Sequence, residues 1–372
     1  RQRVTTDVAT KGGQYDVMTI GTYEVPIWGK KGWLVSLNDL PAAYDVDDIL
    51  PAIRGGLTVD GNLYAAPFYA ESSMVMYRKD LMAKAGLTMP EAPTWDFIAK
   101  AAHAMTDKSN EIYGICLRGK AGWGENMAFL TATSNSFGAK WFDMDWQPQL
   151  DSPEWNAAIT YYVDLMTNSG PPGATGNGHN ENRALFKDGK CATWVDATSA
   201  ANDVRNPATS NVADVTDFFQ APMQETSKGT GWFWSWALAI PASSQKVDTA
   251  KDFLKWGTSK EYFEMVGETE GWVAVPSGTR ASVHEDPRLL EAAPFAETIK
   301  QAIFSVDPAD PPRDPVPYTG VQFVAIPEFQ GIGNYVGQQI AAALAGQSTV
   351  EEALANSQQF AVREMTKAGY IE

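Results

Sequence analysis

Shortages define this sequence first. Its longest apolar runs, such as residues 236–241, fall far below the ~20 residues that a helix needs to cross a bilayer, so no membrane span is expected. Basic residues are few: 29 against 45 acidic ones give a formal charge of −16, which opposes nucleic acid and anionic membrane surfaces and favours a neutral or cationic partner. Cysteine occurs only as Cys116 and Cys191, each inside a short apolar stretch that reads as a strand. One disulfide in an oxidising compartment and two buried free thiols both fit that pattern. His103, His179 and His284 are scattered without metal-ligand spacing, so neither a metal nor another cofactor is expected. The Gly-rich segment 170–178 lacks the Lys and the flanking strand of a phosphate loop, which removes nucleotide binding of that type. There is no internal repeat and no low-complexity tract. The chain opens at Arg1-Gln2-Arg3-Val4 in what reads as mid-helix, so a truncated start is expected and no targeting segment indicates the compartment.

What is present is α/β texture at a length, 372 residues, that suits two lobes of ordinary size. Short buried strands are predicted at 15–21 and 32–37, with a turn and a helical piece between them. After the Asp60-Gly61-Asn62 turn comes a long extended stretch, 63–79, that could run between lobes. Thr94 is a suitable N-cap for a helix over 95–105, and Ser152-Pro153 for another that ends at the Gly/Pro-rich loop. Further strands are suggested at 112–117, 191–195, 217–221 and 232–240, with a helix at 249–256. Five prolines in 308–317 make that stretch the best linker candidate. Only helices follow, the last led by a Thr349/Glu352 capping box.

Tyr15 to Met18, Asp60 to Pro67, Met76 to Leu81 with Pro93 to Asp96, and Gly346 to Leu354 together resemble segments of the extracellular solute-binding proteins of ABC carbohydrate importers. Tyr15-Asp16-Val17-Met18 is similar to that family's early strand, and Asp60 to Pro67 resembles its "DGxxYxxP" turn. Met76 to Leu81 followed by Pro93-Thr94-Trp95-Asp96 resembles its "YxKDL … PxTW" crossing, and Gly346 to Leu354 its C-terminal helix start. The order and spacing of these motifs carry the likeness over most of the chain. Within the family, Trp232-Phe233-Trp234-Ser235-Trp236 and Tyr69-Ala70-Glu71-Ser72-Ser73 look most like the branch that binds sorbitol and mannitol.

The resemblance implies an α/β, two-lobed periplasmic-binding-protein fold with a hinge and an interlobe ligand cleft. Residues 1–80 and 236–305 would form the N-terminal lobe, short of its first strand and most of its first helix; 81–235 and 306–372 would form the other. It implies a substrate-binding subunit and not an enzyme, a monomer that hands a small neutral polyol or sugar to permease subunits. The site implied is periplasmic, or extracellular and membrane-anchored if a lipoprotein signal precedes the chain.

A neutral polyhydroxylated ligand needs apolar faces for its C–H surface and bidentate groups for adjacent hydroxyls. Among thirteen tryptophans, Trp232, Trp234 and Trp236 alternate so that all three would point to one side of a strand; the alternative is that they fill a core. Glu71 interrupts an apolar extended segment beside Tyr69, and Glu24 follows directly on a buried strand, where α/β ligand loops lie. Arg118 and Asp196 each end an apolar strand, the latter just after Trp194, and could pair with each other; a structural salt bridge is the competing reading. Trp123, Glu125 and Asn126 in the loop after Arg118, Trp272, and Asn334 with Tyr335 are second-rank candidates, each also readable as ordinary surface or packing. A glycoside hydrolase using Glu71 and Asp196 as its carboxylate pair, a receptor for a mono- or disaccharide, and an adhesion protein with exposed tryptophans are the other readings of the same features.

Overall fold

The computed structural model describes residues 2–276 and 279–372. In chain order its strands are β1 (Met18–Gly21), β2 (Thr58–Val59), β3 (Asn62–Leu63), β4 (Ala66–Glu71), β5 (Ser73–Arg78), β6 (Thr193–Ala197), β7 (Thr216–Gln220) and β8 (Trp234–Ala239). The chain sorts into two compact units: Arg1–Glu71 with Trp234–Ile303, and Ser72–Phe233 with Phe304–Glu372.

In the first unit β8 lies between β1 and β4, antiparallel to both, and β2–β3 form a small hairpin. Small side chains on one face of the central strand pack closely: Ala237 and Ala239 are fully buried, as are Val25, Ile49, Ile53, Leu57 and Leu254 in the same unit. The strand expected at 32–37 is reduced to one bridge, Leu34 with Pro241. Val35 N–H and Trp33 C=O reach the chain just past β8, but Pro241 has no N–H with which to extend a ladder.

In the second unit β5 is central between β6 and β7, again antiparallel, and Met74, Val75 and Met76 are fully buried. The segment 112–117 is not a regular strand. It touches the sheet through single bridges, Tyr113 to Cys191 and Cys116 to Trp194. Cys116 and Cys191 are joined as a disulfide with Cα atoms 5.9 Å apart, which decides between the two alternatives left open by the sequence. The helix caps form as expected. Thr94 accepts from Phe97 N–H at 3.2 Å, Ser152 from Trp155 N–H at 3.3 Å, and Thr349 and Glu352 satisfy each other's N–H groups at 3.1 and 3.0 Å. Helix Asn126–Ser136 is buried at every position and therefore carries no amphipathic stripe for sequence periodicity to detect.

All three crossings fall earlier than expected. The first is at Glu71–Ser72 and not near Asp80, because β5 pairs with β6 and β7 and so belongs to the second unit. The second is at Phe233–Trp234: the Gln322 amide holds both backbone groups of Phe233, at 3.1 and 2.9 Å, while Trp234 opens β8. The third is at Ile303–Phe304. The proline stretch 308–317 is not a linker. It folds into the second unit, closed by Gly320 N–H on Pro308 C=O at 2.8 Å and an ion pair from Lys228 to Asp310, beside a buried Tyr318 whose hydroxyl accepts Trp141 N–H at 3.1 Å.

Candidate functional site

In the first unit the β4–β8 pairing sets Glu71 opposite Trp234 and Tyr69 opposite Trp236, after a register shift between Pro67 and Tyr69. Direct partners in an antiparallel pair share a face, so a carboxylate, a phenol and two indoles lie on one patch of sheet. Trp234 and Trp236 meet edge to face with centroids 5.3 Å apart. Trp232 does not join them. It lies beyond the Phe233–Trp234 crossing, so the expected row of three tryptophans on one strand is a row of two.

The end of β1 completes this patch. A β-carbon on Gly21 would collide with the Trp234 indole, so only glycine lets the ring lie across the strand. Gly21 N–H donates to Glu24 at 3.0 Å, which turns that buried carboxylate back towards the strand end. Between them Thr22 is buried, and its hydroxyl has no protein partner among the described residues. Sequence reasoning passed over Thr22 and Gly21; a small and a hydroxyl residue directly between a buried strand and Tyr23-Glu24 were the available signal.

In the second unit Arg118 and Asp196 do pair. Nε lies 2.9 Å from Oδ2 and Nη2 2.5 Å from Oδ1, the bidentate geometry of guanidinium and carboxylate. Asp196 also accepts Trp194 Nε1–H at 3.1 Å, its neighbour's backbone N–H at 2.7 Å and His179 Nδ1 at 2.8 Å. Its oxygens thus serve five donors, more than their roughly four lone-pair directions. Burial would raise the pKa of so enclosed a carboxyl, but the charge of Arg118 and the hydrogen bonds from Arg118 and His179 outweigh it and hold Asp196 well below the ordinary carboxylate range.

The guanidinium is fixed on its other sides too. Nη1 donates to Gly124 C=O at 3.1 Å, the Trp232 ring lies over Cζ at 5.2 Å, and Arg118 C=O accepts the buried Tyr162 hydroxyl at 3.0 Å. The loop carrying Gly124 is pinned in turn. Asn126 Oδ1 takes Gly122 N–H at 3.1 Å, Asn334 Oδ1 takes Trp123 N–H at 3.0 Å, and Asn126 Nδ2 donates to Gly337 C=O at 2.9 Å. Arg118, Trp123, Asn126, Trp194, Asp196 and Trp232 therefore belong to one network, with both ends of the Asn126 amide engaged by the protein. His179, weighed in the sequence only as a metal ligand, is part of it as well.

Two candidates are placed elsewhere. Trp272 stacks under the Arg288 guanidinium at 4.1 Å and against Gly267, and Tyr335 stacks on Phe360 at 4.0 Å with an interplanar angle of 6°. Both are engaged in packing between helices. Among the described residues no group of His, Cys, Asp and Glu could hold a metal ion, and no helix is long and apolar enough to cross a membrane.

Each patch offers fixed polar groups beside aromatic faces, which is the apparatus of recognition. Residues 1–262 match the model of the bacterial extracellular solute-binding protein family. A mannitol-binding protein of Pseudomonas aeruginosa is 53% identical over 370 residues, covering 100% of this chain and 85% of that one. An ABC transporter solute-binding protein of Agrobacterium vitis S4, solved with bound D-mannitol, superposes with a TM-score of 0.98 at 62% identity over 100% of this chain and 90% of its own. One from Agrobacterium radiobacter K84, in complex with ribitol, gives 0.86 at 27% identity over 97% and 88%. The α/β fold in two units is that of the periplasmic binding proteins, and the chain belongs to the bacterial extracellular solute-binding family, whose members are binding subunits of ABC transporters and not enzymes.

Proposed function

We propose that this chain captures a linear polyol of the hexitol class, mannitol or sorbitol, and as a monomer in the periplasm delivers it to the permease of an ABC importer. The observation that carries this reading is the pairing on β4–β8 of Glu71 with Trp234 and of Tyr69 with Trp236. A carboxylate accepts hydrogen bonds from adjacent hydroxyls while indole faces cover the C–H side of the chain. The likeness to proteins described with mannitol supports the same ligand class.

Glu24, Tyr69, Glu71 and Trp234 act from the first unit; Arg118, Trp123 and Trp232 act from the second, with Asn126, Trp194 and Asp196 holding them in place. The Cys116–Cys191 disulfide supports an oxidising compartment.

The test is thermal melting of the purified protein against mannitol, sorbitol, xylitol, glucose and maltose. A ligand at 100 times its dissociation constant adds about 2.7 kcal/mol of stability, a shift of several degrees. A shift with hexitols and none with glucose or maltose is expected; a shift with maltose or glucose alone would replace the polyol assignment by a sugar receptor.

A further inference from the structure

His179 differs from the rest of the Arg118 network in having surface outside it. Its side chain is 23% exposed, against 8% for Arg118 and 0% for Asp196. It opens helix His179–Lys187, its ring tilted over Trp194 at 5.4 Å, so its plane is fixed by a fully buried neighbour.

The tautomer follows from the partners. Nδ1 lies 2.8 Å from Asp196 Oδ1 and 3.5 Å from Arg118 Nη2. An ionised carboxylate can only accept and a guanidinium can only donate, so Nδ1 carries its proton towards Asp196. In the neutral ring the lone pair is then on Nε2, at the opposite edge, where no protein hydrogen bond is made among the described residues. A carboxylate that fixes one ring nitrogen and leaves the other as an oriented acceptor is a device for presenting that acceptor to something outside the protein.

We propose that His179 is a specificity-determining ligand contact, its Nε2 accepting a hydroxyl hydrogen bond from the bound polyol. This rests on the polyol reading above and extends it. The acceptor selects for a ligand with a hydroxyl donor at that position, and a methoxy or deoxy carbon there leaves the nitrogen unpaired. Asp196 is correspondingly a positioning residue that acts through His179 and Arg118.

Substitution can separate the two ring nitrogens. Asn at 179 keeps an N–H near the position of Nδ1 and removes Nε2, whereas Gln carries a polar group out to the position of Nε2. Calorimetric titration with D-mannitol is expected to show about tenfold weaker binding for H179N than for wild type, the worth of one ligand hydrogen bond, with partial recovery in H179Q. The melting temperature of unliganded H179N stays close to wild type, because the Asp196 bond is retained. Wild-type affinity in H179N would overturn the proposal while leaving the polyol reading intact; absence of hexitol binding in the wild type overturns both. A second readout needs no variant. The Nε2 nitrogen resonance of His179 is expected to move on adding mannitol to the wild type while Nδ1 stays protonated, and an unmoved Nε2 resonance overturns the proposal.

Discussion

The Arg118 guanidinium meets the Asp196 carboxylate edge-on, through Nε at 2.9 Å and Nη2 at 2.5 Å, with the carboxylate fully buried. Enclosing two charges costs solvation that only the complete pair offsets. Replacing Arg118 by Met therefore strands a buried negative charge and is expected to lower stability by about 3–5 kcal/mol. The double variant R118M/D196L removes both charges and is expected to be less destabilised than the sum of its single changes. Urea denaturation of the four proteins measures the coupling directly; strict additivity would mean that the pair is not a unit.

Gly21 makes a second separable prediction. The Trp234 indole occupies the space of its missing β-carbon, so Gly21→Ala must displace the ring or bend the end of β1. Overpacking of this kind costs about 1–3 kcal/mol. Mannitol affinity is expected to fall at least tenfold, because the displaced ring is the surface proposed to cover the ligand. Tryptophan fluorescence with a mannitol titration checks both, and an unchanged affinity removes Trp234 from the ligand surface.

The features legible in the sequence were those set by local chemistry. Thr94, Ser152 and Thr349 announced their helices because a cap is a side-chain hydrogen bond to backbone three residues on. Glu71 stood out because a carboxylate in an apolar strand requires a reason. What stayed hidden depended on partners distant in the chain. Whether β5 belongs with the residues before or after it is decided by pairing with β6 and β7, more than a hundred residues away in the chain. Residues 112–117 have the composition of a strand, yet they meet the chain at and just before β6 only through isolated bridges, a pairing that depends on residues some 80 positions further on. Helix Asn126–Ser136 has no polar face because it has no exposed face. His179 was legible only as a possible metal ligand, because the carboxylate that orients its ring, Asp196, lies 17 residues further on.

The disulfide yields a prediction with a known driving force. Cys116 and Cys191 are 75 residues apart in sequence and both fully buried. Closing a loop of that length removes conformations from the unfolded chain, worth about 2–4 kcal/mol in typical cases. The paired variant C116S/C191S is expected to lose stability of that order while still binding mannitol, since neither cysteine belongs to the proposed ligand surface. Melting curves with and without mannitol separate the two effects, and an equal melting point would show that the crosslink does not constrain the unfolded chain.

His284 sets the acid limit of the first unit. It is 3% exposed, its Nε2 has no protein partner among the described residues, and burial, assisted by the charge of Lys300 and opposed by Glu297, pushes its pKa down to about 4. An unfolded histidine titrates near 6.5, so below that pH the unfolded chain binds a proton that the folded chain refuses. The contribution to stability is complete above about pH 6.5 and is lost as pH falls towards 4, up to on the order of 3 kcal/mol. The lowered carboxyls, Asp196 among them, lose their contributions only at more acid pH, because their unfolded values already lie at 3.8 to 4.5. Between pH 6.5 and 5 the histidine should therefore dominate the slope. Urea midpoints of wild type and His284→Leu across that interval are expected to diverge, the variant staying flat where wild type declines; parallel curves would assign the acid sensitivity to another group.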